Sequence, residues 1–126
     1  MKIKNLNLRR GAGFTLVEIM IVVAIIGLLA AIAIPNFVRA RTSSQTNACI
    51  NNLRQIDGAI QQWALETKQA ANASVATDGS TIAPYLNSLP LCPSAGATAG
   101  FSGSYALTSV SNAPTCKIVA ATHVLP

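Results

Sequence analysis

Arg9-Arg10-Gly11-Ala12-Gly13-Phe14-Thr15-Leu16-Val17-Glu18 opens onto apolar sequence that continues to Ile34. A basic leader, a small-residue junction and a membrane-length hydrophobic segment lie side by side. From Phe14 to Ile34 there are 21 residues, with Glu18 the sole charge and Thr15 the only other polar side chain. As a helix rising 1.5 Å per residue the run spans about 31 Å, close to the thickness of a hydrocarbon core. A secretory signal has a shorter apolar region and a cleavage site after it. Here the small-residue junction at Gly13 comes first, so cleavage there leaves the apolar helix on the mature chain. A carboxylate four residues into such a run is costly in lipid, and acids in that setting mark function.

The 126 residues fit one small domain beyond this segment. Hydrophobic residues make up 51% and charged residues 10%, and the apolar excess is concentrated in the run. The net charge of +5 suggests nucleic acid until its distribution is considered. Lys2, Lys4, Arg9 and Arg10 precede Phe14 with no acid among them, so the leader carries four of the five charges. Basic residues before a first membrane segment favour a cytoplasmic N-terminus, which puts everything after Pro35 on the outer side. Arg39 and Arg41 follow the span and suit lipid head groups. No clustered basic surface remains for specific nucleic-acid binding.

Gly13-Phe14-Thr15-Leu16-Val17-Glu18-Ile19-Met20-Ile21-Val22-Val23 resembles the N-terminal signature of type IV pilins and of the pseudopilins of type II secretion. The resemblance is close over residues 9–38, looser to about Lys68 and weak beyond. It implies a prepilin peptidase that cuts between Gly13 and Phe14 and methylates the new amine of Phe14. It implies an assembly role for Glu18, a homo-oligomeric helical filament and an inner-membrane assembly platform as partner. Gly27 and Pro35 match the family's helix-weakening glycine and proline.

The physics of Glu18 agrees with that implication. An acid in the first helical turn is favoured by the helix dipole. Pairing with the positive Phe14 amine, of its own subunit or of a neighbour being docked, reduces the cost of burying it. Pro35 has no amide hydrogen and disrupts the hydrogen bond to Ala31. Gly27 costs about 1 kcal/mol relative to alanine inside a helix. The segment between them is where the helix is expected to bend or melt.

After Pro35 the pattern becomes amphipathic. Cys49, Leu53, Ile56, Ile60 and Trp63 lie on one helical face. We therefore expect one helix from about Phe14 to Lys68, with Trp63 a core anchor. Residues 70–82 read as a loop with a turn at Asp78-Gly79. A helical turn is expected within Ser80–Ser88. Gly103–Val110 and Thr115–Ala121 read as two antiparallel strands. So small a sheet must pack on the helix stripe. The fold class is α+β and pilin-like. Residues 1–13 form a leader to be cleaved, 14–35 a transmembrane and assembly helix, and 36–126 a small periplasmic domain. The short stretch after the helix suits a pseudopilin-like head.

Three cysteines allow three single pairings, and the sequence does not choose among them. The expectation taken forward is a Cys92–Cys116 disulfide, worth about 3 kcal/mol in the chain-entropy view. Cys49 is expected as a buried small hydrophobe on the helix stripe, and His123 as a surface residue. The sequence shows no catalytic constellation, no metal-ligand spacing and no cofactor motif, so we expect no enzyme, metal or cofactor. In particular no acid follows Asp78, unlike the calcium-binding loops of many pseudopilins. The resulting expectation is a filament subunit, first as a pseudopilin of a type II secretion-like system. A type IV pilus subunit for adhesion, motility or DNA uptake is the alternative. A monomeric membrane-anchored binding module is the alternative of another class. Before assembly the chain is expected as a single-pass inner-membrane protein, and afterwards in a periplasmic or cell-surface filament.

Overall fold

A computed structural model describes residues 13–96 and 99–126. The basic leader residues Lys2, Lys4, Arg9 and Arg10 therefore lie outside the described residues. The element order is α1 (Leu16–Glu66), a 3-10 turn (Ala83–Tyr85), α2 (Phe101–Ser104), β1 (Tyr105–Ala106) and β2 (Thr115–Cys116). This is a long, initially apolar helix followed by a two-stranded antiparallel sheet, an α+β arrangement consistent with a pilin-like fold. The chain divides into two units, one ending at Val38 and one running from Arg39 to Pro126.

In the first unit, the large apolar side chains from Phe14 to Val38 are exposed. Helix α1 is long and apolar enough to cross a membrane. Lipid is the solvent in which an all-round apolar helix surface is stable. Helical backbone continues through Gly27 and Pro35.

In the second unit, α1 supplies Cys49, Leu53, Ile56, Ala59, Ile60 and Ala64 to the core. The expected stripe holds through Ile60. Its last step is four residues rather than three, so Ala64 takes the core position and Trp63 is half-buried at the margin. Helix α1 stops by turning Lys68 to a φ of 53°. The Gln69 amide then reaches the Ala64 carbonyl at 2.9 Å and the Lys68 amide reaches that of Leu65 at 3.4 Å. This pair of bonds satisfies carbonyls that the helix end would otherwise leave open.

The two expected strands are much shorter than their sequence pattern. The Ser104 amide and hydroxyl bond the Gly100 carbonyl at 3.1 and 3.0 Å, which winds residues 101–104 into α2 instead of a strand. Strand β1 then pairs with β2 in the register Tyr105↔Cys116 and Ala106↔Thr115. Past β1 the chain changes partner. The Val75 amide donates to the Thr108 carbonyl and the Val110 amide to the Ala73 carbonyl, each at 3.1 Å. The 70–82 loop thus lends an isolated bridge, Ser74↔Ser109, to the sheet. Strand β2 ends early because the chain turns, the His123 amide bonding the Val119 carbonyl at 3.0 Å.

The expected Asp78-Gly79 turn is present. Gly79 has a φ of +79°, and a Cβ there would lie 2.8 Å from the Phe101 ring and 2.9 Å from Leu89 Cδ2. Gly96 has a φ of +75° with no such neighbour. Gly79→Ala is expected to destabilise the domain by about 2–4 kcal/mol, since strain and overpacking add. Gly96→Ala, carrying strain alone, is expected to cost about 1–2 kcal/mol. Thermal unfolding of the two variants checks the difference.

Tyr105 sits at the centre of the core. It is fully buried, and its ring packs against Phe101 with centroids 5.7 Å apart. Asn52 Nδ2 donates to its hydroxyl at 3.0 Å and to the Leu91 carbonyl at 2.9 Å. Among the described residues no buried side-chain nitrogen or oxygen lacks a hydrogen-bond partner.

Candidate functional site

Three of the residues singled out from the sequence, Gly13, Phe14 and Glu18, lie just before or in the first turn of α1. Gly13, Phe14 and Thr15 lie outside any helix or strand and are exposed. The Gly13–Phe14 bond is therefore on accessible, irregular backbone, as a peptidase requires. Leu16 is the first helical residue, so Thr15 is the N-cap and Glu18 lies three residues on. Their bonds are reciprocal. The Thr15 amide donates to Glu18 Oε2 at 2.8 Å, and the Glu18 amide donates to Thr15 Oγ1 at 3.2 Å. The Thr15 hydroxyl also donates to Oε2 at 2.8 Å. This is a capping box, in which side chains at both ends of a turn satisfy amides that the helix cannot.

Glu18 thus has a local task that the reading by charge alone missed. The signal was in the sequence as Thr15-Leu16-Val17-Glu18, the T-x-x-E spacing of such boxes. All three bonds involve Oε2 or Thr15 Oγ1, and Oε1 takes part in none of them. The second carboxylate oxygen is the group with which Glu18 would meet an amine. Gly27 and Pro35 lie further along α1, and a Cβ at Gly27 would meet nothing within 4 Å. Packing among the described residues does not require glycine there.

In the second unit the structure assembles a cluster that the sequence reading did not anticipate. Cys49, on α1, Cys92, in the loop before α2, Cys116, on β2, and His123 are all buried. Their donor atoms lie within 4.8 Å of one another. The expected pair, Cys92 and Cys116, has its sulfurs 3.7 Å apart, as two thiols. His123 Nδ1 is 3.7 Å from Cys116 Sγ and 3.8 Å from Cys92 Sγ. His123 is only 2% exposed, which overturns its reading as a surface residue. The turn from Val119 to His123 reverses the chain after β2 and folds the imidazole back onto Cys116. Cys49 is buried as expected, but it faces polar groups, with its sulfur 3.8 Å from the Tyr105 hydroxyl.

Burial pushes the Cys49 thiol up to about 12 and raises the Tyr105 phenol as well. At Cys116 burial acts in the same direction. There the Val119 and Ile118 amides and the neighbouring thiols outweigh it, so this sulfur sits below the ordinary thiol range.

A family profile described as the prokaryotic N-terminal methylation motif matches residues 8–34. The type IV major pilin protein PilA of Myxococcus xanthus (strain DK1622) is 50% identical over 56 residues, covering 44% of this chain and 25% of that protein. A type IV major fimbrial protein FimA of Dichelobacter nodosus is 43% identical over 70 residues, 56% of this chain and 45% of its own length. The type II secretion system core protein G of Klebsiella pneumoniae is 31% identical over 62 residues, 49% and 44% of the two chains. The chain thus spans less than half the length of these relatives. No solved structure matches significantly. The chain carries the prepilin-type methylation motif, and its homologues are type IV pilins, fimbrial proteins and type II secretion core proteins.

Proposed function

We propose that this chain is a structural subunit of a type IV pilus-like filament, made as a membrane-anchored precursor and polymerised through α1. One observation carries the reading. The apolar first part of α1, exposed all round, follows an accessible Gly13–Phe14 junction and holds one carboxylate, Glu18, in its first turn. Such a surface is satisfied first by lipid and then by other copies of the same helix.

A prepilin peptidase removes residues 1–13 by cutting after Gly13 and methylates the amine of Phe14. Residues 14–35 anchor the subunit in the inner membrane, with the N-terminus cytoplasmic, until the assembly platform extracts it. Residues 36–126 form the periplasmic head. Glu18 pairs with the Phe14 amine of a neighbour and sets the axial register. Gly27 and Pro35 let the helix loosen between them as subunits pack. The filament is a structural assembly and not an enzyme.

Two finer roles follow from the relatives. The match to core protein G supports the pseudopilin of a type II secretion-like system. The higher identities to PilA and FimA favour the second reading, a type IV pilus subunit for adhesion, motility or DNA uptake. A short periplasmic filament supports the first role, and a long surface filament the second.

Co-expression with a prepilin peptidase tests the processing step. The expected product begins at N-methyl-Phe14, read by N-terminal mass spectrometry. Replacing Gly13 by a bulky residue is expected to leave the full leader in place, with cleavage reduced at least about a hundredfold. A chain that keeps residues 1–13 beside an active peptidase contradicts the reading.

A further inference from the structure

We propose that Cys49, Cys92, Cys116 and His123 form a structural zinc site that ties four separate segments of the head domain together. The site is independent of the filament role.

Its geometry differs from that of a disulfide in the making. Bonded sulfurs lie about 2.05 Å apart. Ligands of a tetrahedral zinc, with Zn–S near 2.3 Å and Zn–N near 2.0–2.1 Å, lie about 3.5–3.8 Å from one another along the edges. The measured separations are 3.7 Å for Cys92–Cys116, 3.7 Å for Cys116–His123 and 3.8 Å for Cys92–His123. One face of a tetrahedron is thus already at zinc spacing. Cys49 supplies the fourth corner, with all donor atoms within 4.8 Å. Closing the shell needs that corner to move inward by no more than about an ångström.

The surroundings select the same chemistry. The Thr46 hydroxyl donates to the Thr42 carbonyl at 3.1 Å, so its oxygen accepts from His123 Nε2 at 3.2 Å. That bond fixes the proton on Nε2 and leaves the Nδ1 lone pair facing the sulfurs. A metal-bound histidine is oriented by a second-shell partner in this way. Asn52 donates to the Tyr105 hydroxyl, which leaves the phenol proton available to a Cys49 thiolate at 3.8 Å. Three thiolates and a neutral imidazole are a soft, closed donor set that suits Zn²⁺ in a structural role. Coordination releases three thiol protons and consumes no electrons. A disulfide between any two cysteines would leave the third thiol and the imidazole buried together with no shared purpose.

The test uses the full-length chain, purified in detergent without chelator. Elemental analysis is expected to find about one zinc per chain, and intact mass three reduced cysteines. Zinc removal should expose all three thiols to alkylation. Cobalt(II) chloride added to the stripped protein should give the intense visible bands of tetrahedral thiolate coordination. His123→Gln is expected to weaken zinc binding at least tenfold, and Thr46→Val about tenfold with all four ligands intact. The proposal is overturned by a metal-free chain whose mass is two hydrogens short, which is a disulfide between two of the three cysteines. It is equally overturned by three thiols that stay reduced and react alike with and without zinc.

Discussion

In cells that carry the assembly machinery, Glu18→Ala is expected to reach the membrane at the wild-type level and to be absent from the filament. Removing a charge from the apolar run makes insertion easier. Assembly loses the partner of a neighbour's Phe14 amine. Leaving one member of a buried ion pair alone costs about 3–5 kcal/mol, enough to lower incorporation by two to three orders of magnitude. The capping box offers a rival explanation, because Ala at position 18 also removes the acceptor of the Thr15 amide. Two further variants separate the causes. Glu18→Gln keeps a side chain that can close the box but carries no charge. Thr15→Ala keeps the charge and loses the cap, at about 1 kcal/mol. The pairing account expects Gln to fail as Ala does and Thr15→Ala to assemble at reduced yield. Subunit content of sheared filaments, measured against membrane content, gives the answer. Rescue by Gln would assign Glu18 to helix capping alone.

The second large effect concerns the head domain. Tyr105→Ala is expected to destabilise it by about 3–5 kcal/mol, the range for emptying a large aromatic site in a packed core. The variant loses the contact with Phe101 and the acceptor for Asn52. For a domain of this size that is a fall in melting temperature of roughly 15 °C or more. Tyr105→Phe keeps the ring, and Asn52 retains the Leu91 carbonyl, so a loss of about 1 kcal/mol is expected. Thermal unfolding followed by near-ultraviolet circular dichroism of the full chain checks both. Equal losses for Ala and Phe would mean that the hydroxyl, and not the ring, holds this core.

The helix and its two regimes were legible because they rest on local pattern. The apolar run from Phe14 to Ile34 and the stripe Cys49-Leu53-Ile56-Ile60 need only helical periodicity. The turn at Asp78-Gly79 was legible for the same reason. The two strands were legible in place and antiparallel pairing but not in extent. Gly100 captures Ser104 into a helical turn, and Val110 bonds Ala73 in a loop about 40 residues earlier. Those are choices among competing partners that alternation in one segment does not encode. At the helix start, the T-x-x-E spacing encodes the capping box, whereas the charge of Glu18 by itself carries no information about its bonds to Thr15. The sulfur and imidazole cluster was hidden for a different reason. Its four residues come from four segments without the close ligand pairs by which zinc sites are read. Only the turn at Val119–His123 shows that a histidine seven residues after Cys116 returns to it.

The central claim is that α1 joins copies of this chain into a filament. A photo-crosslinking residue at Leu29, an exposed position on the apolar part of α1, tests it most directly in cells containing the peptidase and assembly platform. The account predicts a ladder of crosslinked oligomers, with adducts mapping to the 14–35 segment of another copy and vanishing in Glu18→Ala. Crosslinks to lipid alone, with the processed chain remaining monomeric, would contradict it.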